Sequence, residues 1–254
     1  MKQTIKLIHN RRSTRSYAQK IISKEDKNLI IRSAMRSPTA GNMMLYSIVE
    51  VEDQALKDKL VKSCDNQPFI AKAPLVLLFL ADYQRWMDYF AVCDIKSYSK
   101  SEELPYRTPQ EGDMLLACCD ALIAAQTAVI AAESMGIGSC YIGDIMENYE
   151  FHSDLFNLPK YTFPITLLCF GYPKDKITNK ILTPRFPQQN IHFRNEYKRF
   201  NKDDFEEMYK SRELNHYNAN AENFGQHIYS KKFVADFTIE MTRSVRKAIQ
   251  QWST

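Results

Sequence analysis

The order of apolar and polar positions along the chain predicts helices and strands that are intermixed from beginning to end. Three runs predict strands, at residues 46–51, 73–81 and 163–170. The second run, "APLVLLFLA", is nine apolar residues long, which is typical of a strand buried on both faces. Apolar residues three or four positions apart predict helices at 2–10, 23–37, 55–64, 83–98, 112–135 and 203–215, and an amphipathic helix near the end of the chain. Few strong strands among many helices predict an α+β domain.

The most apolar of these helices, at 112–135, raises the question of a membrane. Its segment "LLACCDALIAAQTAVIAA" is interrupted by Asp120, Gln126 and Thr127. A membrane-spanning helix needs about 20 predominantly apolar residues. The pattern therefore predicts a buried core helix and no membrane association.

Composition and charge narrow the class of protein. The 254 residues are 44% hydrophobic and 25% charged, which is typical of a folded domain. The net charge is +4, from 34 basic and 30 acidic residues, and the basic residues are scattered. This balance does not favour nucleic acid as a partner.

The beginning of the chain and the cysteines predict a location. The segment "MKQTIKLIHNRRS" has neither a long apolar core nor a small-residue cleavage site, so no signal peptide is predicted. The six cysteines lie in apolar surroundings and form no CxxC pair, and the five histidines are isolated. We expect reduced, buried thiols, no metal site and a cytoplasmic protein.

Four short segments could carry chemistry. "RRSTRSY" gathers three guanidinium groups and two hydroxyls within its first five residues, which suit a phosphate, although a solvated basic loop explains the same residues. "SPTAGNMM" gives small side chains against which a flat ring could lie, or simply a helix stop and turn. "GIGSCYIG" contains GxG after a helix, so the dinucleotide-binding fingerprint fails. "TPRFP" places Arg185 between two prolines, where an exposed linker arginine is the simpler interpretation.

No segment offers a nucleophile with its base, a GxSxG elbow, a P-loop or a carboxylate dyad. What remains is arginine for a phosphate and small-residue loops for a planar ring. A cofactor that brings its own chemistry fits that combination.

The order of the segments resembles the nitroreductase/flavin reductase family, in the branch with a long C-terminal extension. The resemblance runs from Arg11 to about Pro187, through R-R-S-x-R, "SPTAGNMM", "NQPFIAKAPLVLLFLAD", "MGIGSCYIGDI", "FGYP" and "TPRFP". It implies an α+β sandwich with a central, mostly antiparallel sheet flanked by helices. It also implies a core at 1–175, a C-terminal helical extension at 176–254 that wraps the core and its partner, FMN as cofactor, and a homodimer with the flavin at the subunit interface.

The resemblance also implies roles for particular residues. Those expected at the phosphate and ribityl end are Arg11, Arg12, Ser13, Arg15 and Arg185. A loop from the partner subunit, with Pro38, Thr39, Ala40 and Asn42, is expected to flank the flavin. Gln67 is expected at the polar edge of the ring, and the backbone of Ile142, Gly143 and Asp144 near N5 and O4. No side chain is expected to act as a catalytic acid or base.

The implied activity is FMN-dependent, ping-pong hydride transfer from NAD(P)H to nitroaromatics, quinones or flavins. Two alternatives stay open: a flavin-binding protein with slow or no turnover, and a same-fold FMN enzyme such as a reductive dehalogenase. The loop "NANAENFGQ", the expected counterpart of the family's NADPH-reading loop, has no Lys or Arg, so the choice between NADPH and NADH also stays open.

Overall fold

Four antiparallel strands form one sheet in the computed structural model, which describes residues 2–174, 182–210 and 220–253. The strands are β1 (Tyr46–Glu50), β2 (Leu75–Asp82), β3 (Gly138–Ile142) and β4 (Thr162–Gly171). Their spatial order is β1-β2-β4-β3, so β1 and β3 are the two edges. The predicted α+β class and the mostly antiparallel sheet are confirmed.

Helices make up much of the rest of the described ranges. They are α1 (Gln3–Asn10), α2 (Lys24–Met35), α3 (Gln54–Ser63), α4 (Phe69–Lys72), α5 (Gln84–Val92), α6 (Ile95–Ser101), α7 (Glu111–Ser134), α8 (Tyr149–Leu155), α9 (Lys202–Tyr209), α10 (Phe224–Ile228) and α11 (Asp236–Ser253). Helix α2 is capped by Ser23, whose hydroxyl accepts from the Asp26 amide at 3.0 Å.

The alternation of side chains in β2 builds a core on each face of the sheet. Leu77 and Phe79 pack toward α2 and α7, whereas Val76 and Leu78 pack toward α3 and α4. Successive side chains of a strand point to opposite faces, so every residue of β2 is buried. The continuous apolar run of this segment is thereby explained.

Several expectations about the elements were wrong in detail. The segment Gly138–Ile142 is a strand, and Tyr149–Leu155 is a helix that the pattern did not predict. The single helix predicted at 83–98 is two, because Asp94 takes a left-handed conformation between α5 and α6. The apolar spacing that predicts the helix at 2–10 also implies that Ile5 and Ile8 face inward, but both are about half exposed. The helix predicted at 203–215 covers Lys202–Tyr209, and residues 211–215 lie outside the described ranges.

The cysteines divide into two groups. Cys64, Cys118, Cys140 and Cys169 are buried as expected. Cys93 and Cys119 are exposed, so the expectation of six buried thiols was wrong for these two. The neighbours Cys118 and Cys119 do lie on different sides of α7, as their helical positions require.

Contacts divide the chain into two compact units. The first comprises residues 1–176 together with 240–254, and the second comprises 177–239. Most of α11 therefore belongs with the sheet, where Trp252 is fully buried against Tyr161. The second unit has its own aromatic contacts, such as Phe186 with Tyr209 and Phe200 with Phe205. The proposed boundary between 1–175 and 176–254 stays a prediction.

Candidate functional site

The arginine-rich segment lies along the free edge of β3. Ser13 pairs with Ser139 in a parallel bridge, and the Thr14 amide donates to the Ser139 carbonyl oxygen at 2.8 Å. A Cβ atom added to Gly138 would lie 2.2 Å from Thr14 Oγ1. Only glycine at 138 therefore lets the segment approach this closely. The backbone fixes where the neighbouring arginines emerge.

Arg15 opens into a cleft of about 970 Å³. Its guanidinium carbon lies 5.9 Å from the centre of the Phe69 ring. The cleft is also lined by Lys20, Lys72 and Lys174, and no acidic residue is among the described residues that line it. Its volume is in the range of small-molecule sites, and its charge suits an anion.

Arg11 and Arg12 face helix α7. Arg11 lines a small cavity of about 70 Å³ with Glu133, and its Nη1 atom is buried with no hydrogen-bond partner among the described residues. Burial raises the pKa of the Glu133 carboxyl, and the positive charges of Arg11 and Arg12 partly oppose that rise. One end of the arginine segment is thus anchored near α7, while Arg15 points to the cleft.

Gln67 and Asp144 meet at the carboxyl end of β3. The Gln67 Nε2 atom donates to the Asp144 Oδ2 atom and to the Cys64 carbonyl oxygen, both at 3.0 Å. Because both amide hydrogens are used, the Gln67 Oε1 atom is left as an acceptor. Gln67 is also two residues before Phe69, which contacts Arg15. The structure therefore brings Gln67 and Asp144 into contact and places Arg15 against Phe69, two residues after Gln67. The roles of these residues at a flavin stay predictions.

Ile142 and Gly143 lead into this region. Ile142 is the last, buried residue of β3, and Gly143 begins the single turn at Asp144–Met146. That turn ends at Glu147, whose Oε1 atom is buried without a described partner. Burial, followed by the negative charge of Asp144, raises the pKa of the Glu147 carboxyl to about 7.

The loop with Pro38, Thr39, Ala40 and Asn42 lies elsewhere in the same protomer. It directly precedes β1, at the opposite edge of the sheet from β3. Three strand spacings, about 14 Å, separate these edges. A single protomer therefore does not bring this loop to Arg15 and Gln67.

Arg185 belongs to the second compact unit. Its side chain is exposed, and Nη1 donates to the Thr183 carbonyl oxygen at 3.3 Å. Its predicted role at a phosphate stays a prediction.

Sequence reasoning missed two groups of residues. The lysines of the cleft are scattered at positions 20, 72 and 174, so nothing in the sequence groups them. Asp120 was noted only as an interruption of an apolar helix, although it is 2% exposed and binds the loop before β1. An acid among alanines on a core helix was the available signal.

Comparisons with known proteins show which family the chain is similar to. A family model described as "Nitroreductase family" matches residues 8–172. The "FMN reductase [NAD(P)H]" of Bacillus subtilis (strain 168) is 32% identical over 197 residues, which cover 78% of this chain and 75% of the relative. The "Oxygen-insensitive NADPH nitroreductase" of Salmonella typhimurium is 31% identical over 78% of this chain and 75% of the relative.

A solved structure extends the likeness to the whole chain. The structure of NfrA2 from B. megaterium has a TM-score of 0.77 and 29% identity, and covers 100% of this chain and 98% of the other. The family model spans more than half of the chain and includes the arginine segment, the loop before β1 and the sheet. The chain therefore belongs to the nitroreductase family.

Proposed function

We propose that this chain is an FMN-dependent NAD(P)H oxidoreductase that reduces nitroaromatics, quinones or flavins. The observation that carries the proposal is the cleft lined by Arg15 and three lysines. It adjoins Phe69, two residues after Gln67, which contacts Asp144 at the end of β3. Membership of the nitroreductase family and the names of the two curated relatives support the same activity.

The residues present fit FMN. The buried Nη1 atom of Arg11, which has no partner in the described part of the chain, is a donor for a ligand. Arg15 opens into a cleft whose described lining contains no acidic residue. Guanidinium groups donate charge-assisted hydrogen bonds to phosphate. Arg11, Arg12, Ser13 and Arg15 would hold the phosphate and ribityl end.

The other end of the cleft suits the flavin ring. The Gln67 Oε1 atom, left free by the Asp144 contact, is an acceptor for an imide N–H group. The backbone of Ile142, Gly143 and Asp144 would face the reactive edge. Bound FMN would supply hydride transfer between the nicotinamide donor and the acceptor.

The protein's own part is binding and electrostatics. Arg15 places positive charge beside the site, which would stabilise negative charge that develops on the ring. The cleft would admit donor and acceptor in turn, so ping-pong kinetics are expected. A planar acceptor such as a nitroaromatic or a quinone fits a slot of this kind.

We infer that the active form is a homodimer, because one protomer cannot complete the site. Asp120, which holds the loop before β1, and Glu133, which lies beside Arg11, are 13 positions apart on α7. At 1.5 Å per residue this is about 20 Å. A second copy, related by a two-fold axis, could place its loop over the first copy's arginine segment.

An exposed apolar face on α7 supports this pairing. Leu115, Leu116, Leu122 and Ile123 are each more than 40% exposed, and Cys119 is exposed among them. By length and composition α7 could also cross a membrane, but half of its apolar window is buried inside the protein. We propose a core helix that continues into a dimer interface, in a cytoplasmic protein without a membrane or nucleic-acid partner.

The direct test is the colour of the purified protein. We expect a yellow protein whose flavin absorbance near 450 nm is lost on anaerobic addition of NADPH or NADH and returns with a nitroaromatic acceptor. Reduction rates with the two nicotinamides decide between them. Colour that persists would favour a flavin-binding protein without turnover, and failure to take up FMN would refute the proposal.

A further inference from the structure

Asp120 is a buried carboxylate in the middle of α7. It is 2% exposed and follows the buried residues Ala117 and Cys118 on the helix. Among the ion pairs of the described residues, none includes Asp120. A buried carboxylate is costly unless hydrogen bonds replace its water. The groups that donate hydrogen bonds to Asp120 therefore indicate the role of this carboxylate.

All of those partners belong to the loop before β1. The Ala40 amide donates to Oδ1 at 3.0 Å, and the Leu45 amide donates to Oδ2 at 3.2 Å. The Thr39 hydroxyl also donates to Oδ2. The same hydroxyl accepts a hydrogen bond from the Met44 amide at 2.9 Å. Thr39 therefore links Met44 to the Asp120 carboxylate through two successive hydrogen bonds.

The loop that Asp120 holds is strained. Gly41, Asn42 and Met44 all have left-handed backbone angles, with φ of 54°, 57° and 51°. Asparagine tolerates this region, whereas methionine adopts it rarely. A run of such residues persists only where the surroundings impose it, and such strain is concentrated at functional sites.

Side chains of helix α5 donate hydrogen bonds to the carbonyl groups of the same loop. Trp86 Nε1 donates to the Met43 oxygen at 2.8 Å, and Arg85 Nη1 donates to the Met44 oxygen at 3.3 Å. Asp120 of α7 has the opposite role, because it accepts from amide and hydroxyl donors of the loop. Hydrogen bonds from two helices therefore fix both the donors and the acceptors of the loop.

We propose that Asp120 is a positioning residue for the flavin site of the partner subunit. Its carboxylate fixes the strained loop in the shape that presents Thr39, Ala40 and Asn42 to the ring. This inference rests on the proposed function, since it takes the loop to flank FMN. The role requires a carboxylate: in an asparagine one oxygen becomes an NH₂ group, which would face an N–H or O–H donor of the loop.

The test compares Asp120→Asn with Ser244→Ala. Ser244 is fully buried and accepts from the Tyr149 amide at 2.6 Å, so its variant removes one buried hydrogen bond away from the loop. Three quantities are measured at a temperature where both variants are folded: deuterium exchange in the peptide of residues 37–46, the Kd for FMN from its fluorescence on release, and KM and kcat for a nitroaromatic.

For Asp120→Asn we expect exchange in the loop peptide to rise at least tenfold, the Kd for FMN to rise about tenfold, and KM for the acceptor to rise more than kcat falls. Ser244→Ala should leave all three near wild type. Equal behaviour of the two variants would overturn the proposal. If Asp120→Asn does not fold, Thr39→Val removes the relaying hydroxyl instead, and unchanged exchange in that variant also overturns it.

Different results would refute the proposed function and the positioning role of Asp120. If the wild-type protein takes up no FMN, the proposed function is refuted. The exchange measurement still decides whether Asp120 fixes the loop. If FMN binds and exchange rises in Asp120→Asn while the Kd and KM stay unchanged, the loop is held but does not serve the flavin, and the positioning role is refuted.

Discussion

Two carboxylates that lack a described cation partner, Asp120 and Glu147, illustrate how differently a buried acid can be accommodated. Asp120 receives three donors from one loop. Glu147 has a buried Oε1 atom without a described partner and lies near the negative charges of Asp144, Asp65 and Glu240. Desolvation and like charges both favour the neutral form of Glu147, which explains a pKa raised to about 7.

The raised pKa of Glu147 predicts a pH dependence of stability. The ordinary pKa of a glutamate is 4.5, and the folded value is about 7. Between these two values the folded state keeps a proton that the unfolded state has released, so the free energy of unfolding should fall as pH rises from about 4.5 to 7 and level off above. We expect Glu147→Gln to flatten this fall and to be more stable than wild type at pH 8 by about 1–3 kcal/mol, with little difference near pH 4.5. Urea unfolding at several pH values gives the free energy of unfolding of both proteins. The same pH dependence in wild type and Glu147→Gln would contradict the prediction.

Arg15 carries a prediction about cofactor binding. Its removal takes a guanidinium from the cleft, so we expect Arg15→Ala to lose FMN on desalting, with a Kd at least tenfold higher. Arg32→Ala removes an exposed arginine from α2 and serves as the control. The absorbance spectrum after desalting is the measurement. Full retention of flavin by Arg15→Ala would remove this residue from the site.

At the scale of elements, β3 is the support on which the site is assembled. Its outer edge carries the arginine segment through Ser13, and its end leads to Asp144. The pairing also covers the free edge of the sheet, which would otherwise present unpaired amides. A substitution in β3 should therefore weaken cofactor binding more than it disturbs the packing of the core.

Two glycines test this idea. A Cβ atom at Gly138 would clash with Thr14 Oγ1, whereas one at Gly112, in the first turn of α7, would meet nothing within 4 Å. We expect Gly138→Ala to displace the arginine segment and raise the Kd for FMN about tenfold or more. Gly112→Ala should bind FMN normally and melt at the same or a slightly higher temperature, because alanine favours helix. FMN titration and thermal melting of both variants provide the comparison.

The sequence predicts those elements whose order of apolar and polar residues directly reflects which of their faces are buried. β2 is apolar throughout because both faces are covered, and α2 carries a cap and a stop. The strand β3 could not be predicted, because its residues "GSCYI" are small or polar and its strand character depends on pairing with β4 and the arginine segment. The break in 83–98 depends on the single left-handed residue Asp94, which no periodicity reveals.

The same distinction applies to the site. The expected roles of Arg15, Gln67 and Asp144 follow from motif order, through the resemblance. The structure shows contacts from Gln67 to Asp144 and from Arg15 to the Phe69 ring. The lysines at 20, 72 and 174 converge only through folding, and the hold of Asp120 on the loop joins positions 80 residues apart. Long-range hydrogen bonds of this kind leave no local pattern to read.

At the scale of the whole molecule, the exposed face of α7 predicts self-association. Light scattering at micromolar concentration should give the mass of a dimer. Leu122→Arg places a charge in that face, and we expect it to lower the mass toward the monomer and to weaken FMN binding, since the partner's loop is lost. Phe151→Arg, at an exposed apolar position on α8, is the control. A wild-type monomer that binds FMN would contradict the dimer.

The separation of the loop and the arginine segment on opposite sheet edges has a genetic consequence. A chain with Asp120→Asn has a faulty loop but sound arginines, and a chain with Arg15→Ala has the reverse. When the two are co-expressed, a mixed dimer would contain one doubly impaired centre and one assembled from two undamaged halves. Random assortment makes half of the dimers mixed, so about a quarter of all centres should regain full flavin affinity. Two crippled alleles would thus complement each other.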